Sequence, residues 1–324
     1  MPGHFVKPVN VLLSGYAWAR SSLTRKPFTA GMPAAVSVEL TNRCNLSCPQ
    51  CHAGSGDMKR EKGFMDPRLY TKILSELKLY IYNINLYFQG EPMMHPRFFD
   101  FIRDDGISKI VATNGHFLTE ENCKRLATSA LSKIIVSLDG TTAETYSIYR
   151  RGGNYDQVIT GLRLLSEAIK TSGSSLKLVI QFLVHRHNEH QIPEIRKIAR
   201  ELSASLYLKS MQLKNFESMD YWMPSFGRFR RYRRVNGTWK IKSNLPDRCF
   251  RIWFNPVITW DGLVLPCCFD KDADYVMGDL KNDSFRDIWY GTKFRAFRKS
   301  ILNGRDMISI CCNCTSGLSA YVRR

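Results

Sequence analysis

Residues 39–52 read ELTNRCNLSCPQCH, and the three cysteines in this stretch, Cys44, Cys48 and Cys51, fall within eight residues just after a run with strand character at 35–40. Three thiols is an informative number. Structural metal sites close with four ligands, whereas a reactive metal keeps a position open for water or substrate. Bound by three cysteines, a cube-shaped four-iron cluster has one iron open to a further ligand. The competing reading is a zinc site completed by His52, but zinc sites usually pair two ligands early and two late in the chain.

Around this loop the chain alternates. Runs with strand character at 35–40, 84–88, 109–113, 134–138, 177–183 and 206–211 are separated by helical patterns at 67–80, 96–103, 120–129, 155–170 and 192–203. Asp66, Thr119 and Asn154 are well placed to cap three of these helices. Strict alternation implies parallel strands joined by right-handed crossovers, with functional loops at the carboxyl ends of the strands. The expected fold is α/β, a partial (β/α)6 TIM-like barrel over residues 34–213.

Residues 214–248 break the alternation with aromatics, arginines and the turn signal Asn236-Gly237, and are expected to be a basic connector. A small C-terminal module follows over 249–324. Asp261-Gly262 marks a hairpin between 256–260 and 263–266, short helices are expected at 285–290 and 294–302, and six cysteines lie at 249, 267, 268, 311, 312 and 314. Residues 1–33 form a separate N-terminal segment. From Val6 to Arg25 it reads as a basic amphipathic helix, and packing through its apolar stripe (Val9, Leu12, Leu13, Tyr16, Trp18) onto the barrel is favoured over peripheral contact with a membrane.

Composition narrows the class. No apolar run reaches the roughly 18 residues that a membrane span needs, and no cleavable export signal is evident. Clustered cysteines in a 324-residue chain of this kind point to metal binding in a reducing cytoplasm and away from a disulfide scaffold. Cys123 stands alone within a helical pattern and reads as a buried structural thiol. The net charge is +18, and Arg228, Arg230, Arg231, Arg233, Arg234, Lys240 and Lys242 form a stretch without an acidic residue, which suits either a solvated surface or an anionic partner.

With these motifs the chain resembles the radical S-adenosylmethionine (radical SAM) superfamily, whose hallmark is three cysteines with this spacing after the first strand of a partial barrel. The resemblance implies a [4Fe-4S] cluster on Cys44, Cys48 and Cys51 whose open iron binds S-adenosylmethionine. Reductive cleavage of that cofactor then gives a 5′-deoxyadenosyl radical that abstracts hydrogen from substrate. Gln89-Gly90-Glu91-Pro92 resembles the family's Gly-Gly-Glu-Pro element, which receives the cofactor's amino group. Ser137, at the end of the fourth strand, matches a ribose-binding position, and Arg150 matches a carboxylate-binding arginine, with Arg151 as a neighbouring alternative. Gln50 stands where the family often has an aromatic residue near the adenine, and Thr113-Asn114-Gly115 matches a segment on the substrate side.

The C-terminal cysteines resemble the SPASM or twitch extension, which implies one auxiliary iron-sulfur cluster on Cys249, Cys267, Cys311 and Cys314, with a four-cysteine zinc knuckle as the alternative. The implied partners are an external electron donor such as flavodoxin or ferredoxin and a small-molecule substrate, anionic if the arginines bind it. The expected reaction is oxidation of a carbohydrate-like or phosphorylated small molecule. Peptide or protein side-chain modification is the runner-up, and a non-enzymatic metal or electron-transfer protein comes third. Asp139, His116, His185 and His187 are the candidate bases.

Overall fold

The computed structural model describes residues 3–214, 216–314 and 321–322. In chain order its elements begin with α1 (Gly3–Thr24), β1 (Ala35–Val38), α2 (Pro67–Leu77), β2 (Asn83–Asn85), α3 (Phe98–Phe101), β3 (Ser108–Thr113), α4 (Glu120–Ala127) and β4 (Leu131–Ser137). Next come α5 (Ala143–Tyr149), α6 (Tyr155–Thr171), β5 (Lys177–Val184), α7 (Ile192–Glu201), β6 (Ser205–Ser210), α8 (Met219–Trp222), β7 (Tyr232–Val235) and β8 (Thr238–Ile241). The last are α9 (Arg251–Phe254), β9 (Val257–Ile258), β10 (Leu263–Leu265), β11 (Gly278–Asp279), α10 (Phe285–Tyr290), α11 (Thr292–Gly304), α12 (Ser309–Cys312) and β12 (Tyr321–Val322). The architecture is the expected mostly parallel α/β arrangement of a partial TIM-like barrel, followed by a cysteine-rich C-terminal part.

The helices begin where local chemistry starts them. The side chains of Asp66, Thr119 and Asn154 accept from the backbone N–H of Arg68, Asn122 and Gln157. Helix α5, absent from the sequence reading, is capped in the same way by Thr142, which accepts from Thr145 N.

The chain divides into two compact units. The first comprises Met1–Arg43, Met58–Lys109 and Asn244–Ser316; the second comprises Cys44–Asp57, Ile110–Ser243 and Gly317–Arg324. In the first unit the strand order is β11-β10-β9-β1-β2. Strand β1 pairs in parallel with both β2 and β9, and β10 runs antiparallel to both β9 and β11. The expected hairpin at Asp261-Gly262 is the one joining β9 to β10. Glu39, at the end of β1, is buried and held by a forked pair from Arg60, Nη1 to Oε2 at 2.8 Å and Nη2 to Oε1 at 2.7 Å.

Helix α1 covers the expected span but is turned the other way. Asn10, Ser14, Ala17 and Ser21 face the interior, while Val9, Leu12, Leu13 and Tyr16, expected inward, are exposed; of that stripe Trp18 is half-buried, edge-on to Phe250. Asn10 and Ser14 are drawn in by backbone they satisfy: Asn10 Oδ1 accepts from Met32 N (2.8 Å), and Ser14 Oγ donates to Met32 O (2.8 Å).

In the second unit the order is β3-β4-β5-β6-β12, with β4, β5 and β6 parallel and β12 antiparallel to β6. Helix α6 buries Val158, Leu162 and Leu165, each contributing about 1.5–3 kcal/mol by leaving water. Part of the expected connector is ordered as the β7–β8 hairpin, turned by Asn236 (φ 49°) and Gly237 (φ 77°), as a two-residue hairpin of this type requires. Among the described residues, no helix is long and apolar enough to cross a membrane.

Candidate functional site

The loop carrying Cys44, Cys48 and Cys51 leaves β1 and is held by its own backbone. Cys51 N donates to Cys48 O (3.1 Å), Ser55 N to Cys51 O (2.9 Å), and Ser47 N to Arg151 O (2.9 Å), which ties the loop to the segment after α5. Cys48 is buried in a cluster with Leu46, Tyr149, Leu213 and Trp222, and Cys44 and Cys51 pack against the same cluster. Donors reach two of the sulfurs. Leu46 N lies 3.5 Å and Asn114 Nδ2 3.9 Å from Cys44 Sγ, and the same Asn114 amide donates to Asn45 Oδ1 at 2.7 Å.

Arg150, the residue that closes α5, is the cation of this site. Its Nε donates to Asp139 Oδ2 at 2.6 Å and its Nη1 lies 4.0 Å from Cys48 Sγ. Burial pushes the Cys48 thiol up, and the neighbouring guanidinium works against that rise. The other oxygen of buried Asp139 accepts from Leu183 N at 2.6 Å, so this carboxylate is occupied as a holder of Arg150 and is poorly placed to act as a base. Arg151 is exposed, which separates two arginines that the sequence left equivalent. Ser137 is buried at the end of β4. Gln50 accepts from Lys214 N (3.0 Å) and donates to Ser218 Oγ (3.1 Å).

Of the histidines considered as bases, His116 uses both ring nitrogens, Nδ1 with Asn114 Oδ1 (3.0 Å) and Nε2 as acceptor from Asn154 N (2.8 Å). Among the described residues, His185 and His187 each keep a buried Nε2 without a hydrogen-bond partner, near Tyr149, Tyr221 and Trp222. Burial, with His187 and Arg150 adding to it, pulls His185 down to about 3.

In the first unit, Gly90 has φ +74°, and a Cβ there would lie 2.6 Å from both Arg43 O and Thr41 O, so only glycine fits. The next residue, buried Glu91, donates its N–H to Arg43 O (2.8 Å) and accepts from Met93 N through Oε1 (3.1 Å). Arg43 immediately precedes Cys44 in the chain.

The C-terminal cysteines assemble within the same unit. Cys249, Cys267, Cys311 and Cys314 are all buried, and Cys314 N donates to Cys311 O (2.9 Å), repeating the turn of Cys48 and Cys51. Burial raises the Cys267 thiol well above its ordinary range, and Cys268, Cys249 and Cys314 raise it further; burial also pushes Cys311 up to about 11. Arg305 lies buried beside them, its Nη2 3.2 Å from Cys314 Sγ and its Nη1 bonded to Arg248 O (3.0 Å). Cys268 is partly exposed, and exposed Cys312 donates its thiol to backbone carbonyls of Asp306 and Ile308. Cys123 is buried in α4, away from both sets in sequence, and burial pushes its thiol up to about 12.

No described cysteine is in a disulfide. Buried thiols crowded together are costly to ionise unless a metal centre compensates them, and each set has an arginine at a sulfur, so both donor sets fit iron-sulfur groups. Among the described residues, no three His, Cys, Asp or Glu side chains close around a position for one metal ion; the fit rests on the donor chemistry and the arginines.

The expected arginine patch is dispersed. Buried Arg231 donates to Ser210 O (2.8 Å), Arg230 to Pro224 O and Ser225 O, and Arg234 to both oxygens of Asp220. Arg228 and Arg233 are exposed.

Residues 38–199 match the Radical SAM superfamily model, and residues 249–315 match the model of an iron-sulfur cluster-binding domain, SPASM. The chain is 28% identical over 295 residues to the tungsten-containing aldehyde ferredoxin oxidoreductase cofactor-modifying protein of Pyrococcus furiosus, covering 81% of this chain and 82% of that protein. It is 26% identical over 289 residues to the S-adenosyl-L-methionine-dependent 2-deoxy-scyllo-inosamine dehydrogenase of Niallia circulans, covering 87% and 92%. The crystal structure of BtrN in complex with AdoMet and 2-DOIA shares the fold, with a TM-score of 0.56 and 22% identity over 88% of this chain and 93% of that one.

Proposed function

Because the chain belongs to the radical SAM superfamily and is an iron-sulfur enzyme with S-adenosylmethionine as cofactor, we propose that Cys44, Cys48 and Cys51 hold the catalytic [4Fe-4S] cluster. We propose equally that Cys249, Cys267, Cys311 and Cys314 hold one auxiliary cluster. When bound, cluster and cofactor together supply reductive cleavage of S-adenosylmethionine and hydrogen abstraction from a substrate. The observation that carries this reading is the Arg150 guanidinium, fixed on Asp139 and placed beside Cys48.

In this reading Arg150 offers the cofactor's carboxylate a permanent charge whose direction is set by Asp139. Gly90 and Glu91 receive the amino group, the glycine because only its backbone reaches the required conformation, and Ser137 donates to the ribose. Gln50, committed to Lys214 and Ser218, contributes through its backbone and not through an aromatic face. His185 and His187 are the bases with a nitrogen to spare.

The substrate we propose is a small hydroxylated ring, carbohydrate-like, oxidised at a carbinol carbon. Support comes from the dehydrogenase relative, which aligns over nearly its whole length. The dispersal of the arginines weakens the argument for a phosphorylated substrate. An external one-electron donor of the flavodoxin or ferredoxin kind supplies the reducing electron, and a cytoplasmic location suits that chemistry. The test is deuterium transfer: anaerobic, reduced enzyme incubated with cyclitols or amino sugars deuterated at each carbinol carbon returns deuterium in 5′-deoxyadenosine. Transfer from no small hydroxylated ring, with transfer from a deuterated peptide, overturns the substrate reading and leaves the cofactor assignment standing.

A further inference from the structure

Helix α1 buries a stripe of small, mostly polar residues and exposes a stripe of large apolar ones. Asn10, Ser14, Ala17 and Ser21, at spacings of four, three and four, form the buried stripe, with Ser21 Oγ accepting from Phe28 N (2.8 Å) and Asn10 Nδ2 donating to Met32 O (3.0 Å). The opposite stripe is Phe5 (79% exposed), Val9, Leu12 (73%), Leu13, Tyr16 and Leu23 (84%). A surface helix of a protein surrounded by water shows the reverse arrangement, and a contiguous apolar face of this kind marks a place where something docks.

The charges say what docks. Residues 1–38 contain no Asp or Glu, while Lys7, Arg20 and Lys26 lie on or directly after α1, with Arg25 between them paired to Asp247. A second copy of the chain placed on this face would set two like-charged helices against each other with no acid in either. An anionic bilayer meets both demands, taking the apolar stripe into its acyl boundary and the cations at its headgroups. The face continues into a cavity of about 390 Å³ lined by Phe5, Val9, Leu13, Met32 and Tyr290, with Arg286 as its cationic lining residue. With 22 residues, α1 is about 33 Å long, and it is not apolar enough all round to span.

We infer that α1 is an interfacial anchor, which lays the enzyme on an anionic phospholipid surface through Phe5, Leu12, Tyr16 and Leu23. The cavity beside it gives the lipid an apolar recess with a phosphate-binding guanidinium at hand. This inference stands apart from the substrate reading, since none of these residues belongs to the cysteine sites.

The test is co-sedimentation of the full chain, purified with its clusters, with phosphatidylcholine vesicles containing or lacking phosphatidylglycerol. Wild-type protein pellets with the anionic vesicles, and the bound fraction falls as salt rises. The variant L12E/Y16E/L23E, altered only at exposed positions, binds at least tenfold more weakly. The variant R20Q/K26Q, with the apolar stripe intact, loses on the order of 30-fold. Circular dichroism of both variants matches the wild type. Absence of wild-type binding to anionic vesicles overturns the inference, as does binding by both variants equal to that of the wild type. So does a wild-type dimer in sedimentation velocity that L12E/Y16E/L23E converts to monomer while vesicle binding is unchanged, because the face would then be an interface between copies.

Discussion

Arg150 Nε lies 2.6 Å from Asp139 Oδ2, and this pair joins the end of α5 to the end of β4 next to Cys48. A buried charge stripped of its partner is expensive. Asp139→Ala also leaves Leu183 N without its acceptor. The variant is expected to lose about 3–5 kcal/mol of stability in denaturant titration. Arg150→Lys, which keeps the charge but not the fork, is expected to fold and to bind S-adenosylmethionine at least tenfold more weakly by equilibrium dialysis.

Gly90→Ala puts a methyl group against the carbonyls of Thr41 and Arg43 in a backbone conformation that L-residues rarely adopt. A cost of about 1–3 kcal/mol is expected, together with weaker cofactor binding, because Glu91 hangs on the same Arg43 carbonyl. Unchanged binding and unchanged stability would mean that this turn is freer than its geometry implies.

Arg305 bears on the C-terminal site. Its guanidinium touches Cys314 Sγ, and Arg305→Gln removes the positive charge beside a thiolate donor. Protein purified without oxygen is expected to carry about eight irons in the wild type and closer to four in the variant, while release of 5′-deoxyadenosine without substrate continues. Zinc in place of iron at this site would contradict the auxiliary-cluster assignment.

His185 sets an acid limit. A histidine held near 3 when folded and near 6.5 when unfolded is uncharged in the folded state across the interval, whereas the unfolded chain takes up a proton there. Its contribution to stability is therefore present above pH 6.5 and is lost as pH falls, by up to about 1.4 kcal/mol per pH unit, until about pH 3. His185→Gln is expected to flatten that part of the stability profile measured by urea titration at successive pH values.

Much of the fold was legible because it is local. Strand and helix runs, three caps and the Asp261-Gly262 turn each depend on a few neighbouring residues, and the three-cysteine loop with Gly90-Glu91 is a pattern of spacing. What escaped depends on distance or orientation. Helix α5 is only seven residues long and lacks a repeating apolar period. The Asp139–Arg150 pair and the place of Arg305 beside Cys314 arise from tertiary contact. Asn236-Gly237 was visible as a turn, but its flanking strands are only four residues each and lie among basic residues, so they read as connector. Helix α1 misled because apolar residues normally point inward, and here buried backbone at Met32 demanded Asn10 and Ser14 instead. The arginine run left two readings open because charge counted along a chain ignores where each guanidinium finds its partner.

Whether Cys44, Cys48 and Cys51 hold the cluster that cleaves S-adenosylmethionine is decided by the fate of the cofactor when all three thiols are removed. Wild-type protein and a Cys44→Ala/Cys48→Ala/Cys51→Ala variant, both purified without oxygen, are incubated with dithionite and S-adenosylmethionine, and 5′-deoxyadenosine is quantified. The wild type is expected to release it, and the variant, though still carrying about four irons at its C-terminal site, to release none. Release by the variant at the wild-type rate would contradict the assignment.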